Sequence, residues 1–152
     1  MGVGKAHRRY FEYAPNCSFD AVLTSFGSAS VADGALDAAG QATCKAQQFP
    51  RGFKVVARAD LGRIKSWYPK REGRRYAYLD PASSADKAGF KQCVRDLLKR
   101  NRAAVVEGGA PGPSGETFVW HFVPPSEKLM QSGVVPRKYK SKLVGIFGVR
   151  KG

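Results

Sequence analysis

The chain has 152 residues, with 26 Lys and Arg against 12 Asp and Glu, so its formal net charge is +14 at pH 7. That length suits one domain, and a hydrophobic share of 43% is enough for one core, which argues against a wholly disordered basic tail. No apolar run approaches the roughly 20 residues that cross a bilayer, so no transmembrane helix and no membrane insertion are expected.

Residues 1–16 are basic and aromatic and end on the turn signal Pro15-Asn16; they are expected to form an arm ahead of a single domain over 17–152. No apolar stretch of secretion-signal length follows the initial charge, so secretion is not expected, and Ala6 stands where a myristoylation signal prefers Ser or Thr. Phe19 to Phe26 mixes β-formers with small residues and predicts a strand. Residues 27–48 are small, polar and glycine-rich, which predicts a loop followed by a strand around Thr43 to Gln47. Phe53 to Arg58 predicts a strand. Leu61, Ile64 and Trp67 then fall at three-residue spacing, which predicts a helix over Ala59–Trp67 stopped by Pro69.

Arg74 to Leu79 alternates as a strand does. Asp80 to Asp86 supplies a turn and an N-cap for the clearest helix, Ala85 to about Asn101. One face of that helix carries Phe90, Cys93 or Val94, and Leu97 or Leu98, with Lys87, Lys91, Arg95 and Lys99 spread around the rest. Ala103 to Val106 predicts a short strand, Gly108 to Gly115 a loop, and Thr117 to Val123 the strongest strand, stopped by Pro124-Pro125. Ser126 to Gly133 predicts one or two helical turns capped by Ser126, and Leu143 to Val149 the closing strand. Six or seven strands with two to three peripheral helices make an α+β domain, a distorted, mainly antiparallel β-barrel.

The order of these segments resembles the SPOC domain, the Spen paralogue and orthologue C-terminal module, a distorted β-barrel decorated by helices. The resemblance rests on Phe49-Pro-Arg-Gly-Phe-Lys-Val-Val-Ala-Arg58, on the helix Asp86 to Leu98 followed by Arg102-Ala-Ala-Val-Val106, on Phe118-Val-Trp-His-Phe-Val-Pro-Pro-Ser-Glu127, and on Leu143-Val-Gly-Ile-Phe147. It covers residues 19–149 in order. It implies a reader of phosphoserine-containing peptides in nuclear transcription or RNA-processing partners, with no cofactor. Carried over by position, it assigns the phosphate and peptide contact to Lys54, Arg58 and Arg100; guanidinium forks and a lysine suit phosphate oxygens. The chain departs from the pattern at Phe26, where a patch lysine is expected, at Asp60, where a second arginine often follows, and at Asp96, where a tyrosine often lines the pocket.

Most of the positive charge lies elsewhere. Arg8-Arg9, Lys70-Arg71, Arg74-Arg75 and the run Arg137, Lys138, Lys140 and Lys142 are separate basic groups, and +14 exceeds the magnitude of about 2–8 that solubility asks for. Interleaved with aromatics over Ile64 to Tyr78, such groups suit RNA, although Trp67 and Tyr78 read more simply as core. This leaves a second reading open: a structural component of a ribonucleoprotein or other large assembly, organellar or cytoplasmic, in which these ten cations contact nucleic acid. Catalysis is not expected. His7 lies in the arm and His121 between Trp120 and Phe122, where a core histidine is the simpler reading, and Cys17, Cys44 and Cys93 lack the spacing of a zinc site. Three reduced thiols are expected, and no catalytic or metal residue is assigned.

Overall fold

In the computed structural model the described residues are 3–26, 34–36, 42–45, 52–64, 75–107, 117–132, 134–135 and 137–150; of these, the side chains at 3–7, 24–26, 34–36, 42–45, 75–76, 117–118, 138 and 147–150 lie outside the described set. Alternation builds the first hairpin. Phe11 and Tyr13 of β1 (Val3–Ala14) turn inward, as do Phe19, Ala21 and Leu23 of β2 (Cys17–Phe26), while Arg8, Tyr10 and Ser18 face out. Phe11 pairs directly with Phe19 across the two strands, and their rings stack at 5.2 Å. The expected arm is therefore mostly barrel strand. The pattern was hidden because Arg8, Tyr10 and Glu12 alternate with the inward positions and Arg9 stands in line with Phe11 and Tyr13.

The expected strand around Thr43 to Gln47 overlaps β4 (Ala42–Lys45), which pairs with β3 (Gly34–Leu36) in a small two-stranded sheet; residues 46–47 lie outside the described residues. Then come β5 (Gly52–Asp60), β6 (Arg75–Pro81), helix α1 (Lys87–Arg100), β7 (Arg102–Glu107), β8 (Thr117–Val123), the short helix α2 (Glu127–Gln131) and β9 (Leu143–Arg150). Seven strands close a barrel in the order β1-β2-β6-β9-β8-β7-β5. Every pairing in it is antiparallel except β1 with β5, where Phe11 lies beside Phe53 and Glu12 beside Lys54. This is the expected α+β barrel with peripheral helices.

The barrel interior is aromatic. Phe53 meets Trp120 at 5.5 Å and Phe122 at 5.2 Å, both edge to face, and Phe122 meets Phe11 at 5.3 Å. Burying a Phe side chain contributes about 1.5–3 kcal/mol, so this cluster is a main source of stability. Gly145 makes room for it: a Cβ there would stand 2.7 Å from the Phe122 ring and 3.1 Å from Trp120. Helix α1 closes the cluster with Phe90, Cys93 and Leu97, and Gly89 lets it approach β2, since a Cβ there would lie 2.9 Å from the Ser18 carbonyl oxygen. The helix ends at Asn101, which takes the left-handed conformation (φ 54°) that asparagine tolerates.

A second core lies on the outer face of β7, β8 and β9, where Ala103, Val123, Val144 and Ile146 are covered by Leu61, Ile64, Leu129, Val134, Val135 and Tyr139. That covering explains why β8 and β9 are apolar on both faces instead of alternating. His121 opposes Ile146 on this face, and burial pushes its pKa down to about 4, so the imidazole is neutral at pH 7.

Local departures from the expectations have physical reasons. Of the helix expected over Ala59–Trp67, the first residues differ: β5 runs on to Asp60 and a 3-10 turn, Leu61–Arg63, follows, leading into a helical Ile64; Leu61 and Ile64 reach the outer core, and residues 65–67 lie outside the described residues. Asp86 stands at the N-cap of α1 without capping it through its side chain. Its carboxylate instead accepts from the Asp20 backbone N–H (3.0 Å) and the Ser83 hydroxyl (2.7 Å), pinning the helix start to β2. Ser126 likewise occupies the N-cap of α2 with no side-chain hydrogen bond.

Candidate phosphate and peptide site

A bulge in β5 makes the candidate patch. Val55 opposes Val106 on β7 but Ala57 opposes Val105, so Val56 is an extra residue and the alternation of β5 flips beyond it. Strict alternation from Phe53 and Val55 would turn Arg58 to the opposite face. With the bulge, Arg58 opposes Ala104, a member of the interior cluster, and its side chain leans over the rim of that cluster toward α1.

There it meets Tyr13 and Asp96. The Arg58 Nε donates to the Tyr13 hydroxyl at 3.0 Å, and the guanidinium lies 4.9 Å from the centre of the Tyr13 ring. The Tyr13 hydroxyl donates to Asp96 Oδ2, and Arg100, one helical turn on, donates from Nε to both Asp96 oxygens at 3.0 and 2.9 Å. Burial and the Asp96 contact raise the Tyr13 pKa to about 12, so the phenol keeps the proton it donates. The Tyr13 hydrogen bond, followed by that of Arg100, holds Asp96 below the usual carboxylate range. Sequence reasoning missed Tyr13; the sign that could have found it is the alternation Phe11, Tyr13 before the Pro15-Asn16 turn.

The departing carboxylates are thus occupied. Asp96 is the anchor of the two arginines rather than a loose charge in the pocket. Asp60 accepts from the Gly62 N–H at 3.0 Å and faces its cross-strand neighbour Arg102 at 3.8 Å. Lys54 stands apart on β5, exposed, with Glu12 at 4.0 Å. The backbone of Phe26 lies in β2, and its side chain is outside the described set. Arg58 and Arg100 each use Nε for their protein contact, and among the described residues their Nη groups have no protein acceptor.

The cations expected to contact nucleic acid divide differently. Arg8 pairs with Asp20 at 2.7 Å, Arg137 with Glu127 at 2.9 Å, and Lys142 with Asp80 at 2.6 Å; Arg9 donates to the Arg8 carbonyl at 2.8 Å. Tyr139 in the midst of the last run is buried and anchors that connector to the outer core, while Arg137 beside it is exposed. Lys140 is exposed. Lys70, Arg71 and Arg74 lie outside the described residues, as do the side chains of Arg75 and Lys138.

Among the described residues no three His, Cys, Asp or Glu side chains gather into a metal-sized cluster, and no helix is long and apolar enough to cross a membrane. Cys17 and Cys93 are free thiols buried in the interior, where burial pushes both pKa values up; the side chain of Cys44 is outside the described set.

No family model and no curated protein matches this sequence. The barrel, with α1 lying across its rim, has the fold of a SPOC domain. A solved example with this fold is the SPOC domain of human PHD-finger protein 3, to which the chain is similar with a TM-score of 0.60 and 8% identity, over 100% of this chain and 99% of that one.

Proposed function

We propose that the chain is a non-catalytic interaction module that binds a phosphorylated or acidic peptide of a nuclear transcription or RNA-processing partner through Lys54, Arg58 and Arg100. One observation carries this reading: Arg58 and Arg100 are held by their Nε atoms around Tyr13 and Asp96 at an exposed surface, with no acceptor for their Nη groups among the described residues. A guanidinium fixed in this way loses little freedom when it forms two parallel bonds to phosphate oxygens. The resemblance to SPOC domains supports the same reading. The assembly-component reading is less favoured, because β1 is barrel strand and three of the ten cations that reading needs, Arg8, Arg137 and Lys142, already face carboxylates.

The test is a titration of a phosphoserine peptide against its unmodified twin. Tighter binding of the phosphopeptide, weakened at least about tenfold by Arg58→Glu, is expected for a charge-paired contact worth 1.4 kcal/mol or more. Equal affinity for the two peptides overturns the reading. An RNA oligonucleotide that binds more tightly than the phosphopeptide, with log affinity falling steeply against log salt, would establish the assembly reading instead.

A further inference from the structure

Helix α1 has a second flank. With 3.6 residues per turn, Val94 projects about 160° around the helix from Asp96, so the buried Phe90, Cys93 and Leu97 separate the two sides. On the far side Phe90, Val94 and Leu98 form an apolar row at four-residue spacing, and Leu98 is 43% exposed. Lys87, Lys91 and Arg95 form a cationic row beside it at the same spacing. Pro81, Pro125 and Lys140 face these rows across a groove of about 610 Å³.

Among the described residues the charge in this groove is uncompensated. Lys87, Lys91, Arg95 and Lys140 have no ion pair among the described residues, and the one carboxylate lining the groove, Asp80, is taken by Lys142 at 2.6 Å. A wholly apolar partner would strip water from four unpaired cations, which is costly. A nucleic acid strand would satisfy them but leave the apolar row unfilled, and Phe90, only 7% exposed, offers no face on which a base could stack.

We infer that this groove is a second docking surface, which takes an acidic peptide segment carrying large apolar side chains at helical spacing. Carboxylates of the segment face Lys87, Lys91 and Arg95, and its apolar residues cover Val94 and Leu98. The groove follows α1 from Lys87 to Leu98, about 17 Å at 1.5 Å per residue, which matches three turns of a partner helix. The inference does not rest on the phosphate reading, because Arg58 and Arg100 lie on the other flank.

The probe is a short fluorescein-labelled peptide of Asp, Glu, Leu and Phe, unphosphorylated, with its apolar residues every third or fourth position, measured by anisotropy against the full chain. Two control peptides replace its Leu and Phe by Ala, or its Asp and Glu by Asn and Gln. The parent peptide is expected to bind about tenfold more tightly than either control, and Leu98→Glu or Arg95→Glu to weaken it about tenfold. Arg58→Glu is expected to leave it within about twofold, as for an independent distant site. Both groove residues are exposed, and unchanged thermal melting confirms that the variants fold. Binding of the alanine control as tightly as the parent, no effect of either groove variant, or no binding of the parent at about 1 mM, weaker than useful docking, overturns the inference. So does an RNA oligonucleotide whose own affinity falls on Leu98→Glu, or a dimer seen in sedimentation that Leu98→Glu dissolves, since these assign the groove to RNA or to a second copy.

Discussion

On one flank of α1, Asp96 collects Arg100 and Tyr13, and Tyr13 holds Arg58; on the other, Lys87, Lys91 and Arg95 climb the helix with no carboxylate among the described residues to meet them. The first flank sets Arg58, Arg100 and Arg102 against Asp60 and Asp96, so its net charge is small while its geometry is fixed. The second has most of the unbalanced charge and sets it beside apolar surface. A net charge of +14 therefore says little about where a polyanion would bind. Orientation recommends one flank and uncompensated charge the other, and the two should differ in salt dependence and in response to mutation.

The largest expected effect removes what the flanks share. Leu97 is fully buried in the interior cluster, and Leu97→Ala should cost about 2–5 kcal/mol in urea unfolding and weaken both peptides together. Loss of one activity alone would show that the flanks do not depend on a common seat for α1.

Tyr13→Phe separates the flanks. It removes a hydroxyl that accepts from Arg58 and donates to Asp96, and hydrogen bonds to charged groups are worth about 1.5–3 kcal/mol. Phosphopeptide affinity should fall by about tenfold or more, the scale of 1.4 kcal/mol, with the groove peptide unaffected. Unchanged phosphopeptide binding would mean that Tyr13 does not orient Arg58.

Acid separates the protein from its ligand. His121 has its pKa lowered from 6.5 to about 4 by burial, so the folded state binds fewer protons than the unfolded one in that interval. Stability from this group is complete above pH 6.5 and is lost toward pH 4, with a slope of at most about 1.4 kcal/mol per pH unit. His121→Gln should flatten that slope in pH-dependent unfolding. Asp96, held low by Tyr13 and Arg100, stays ionised across the same window, so a fall in phosphopeptide affinity between about pH 7 and 5 reports the phosphate, whose second pKa is near 6. The groove peptide should show no such fall in that interval.

The smallest effect is expected at the pairs outside both flanks. Arg8 and Asp20 are exposed, and Arg8→Ala should change stability by about 0–1 kcal/mol and neither affinity by more than about twofold. A large loss of phosphopeptide binding there would extend the patch onto β1.

Much of this fold was legible in the chain. Alternation identified β6, runs of β-forming residues bounded by turn formers identified β2, β5 and β9, and the three- and four-residue spacing of apolar residues identified α1. β1 escaped because its outward positions carry Arg8, Tyr10 and Glu12, which look like an arm until Phe11 and Tyr13 are seen to pack inward. The candidate site was half legible. Arg58 and Arg100 were expected from position, yet Asp96 looked like an obstacle and Tyr13 was not considered.

The sequence by itself determined the strand and helix segments, the size of the core and the excess of cations, since these depend on neighbours within a few residues. Only the tertiary structure decided which charges are answered. The Val56 bulge turns Arg58 toward α1, and the Tyr13–Asp96 hydrogen bond joins residues 83 positions apart. No local pattern encodes such a pairing, because it depends on where the closed barrel brings its first strand against its helix.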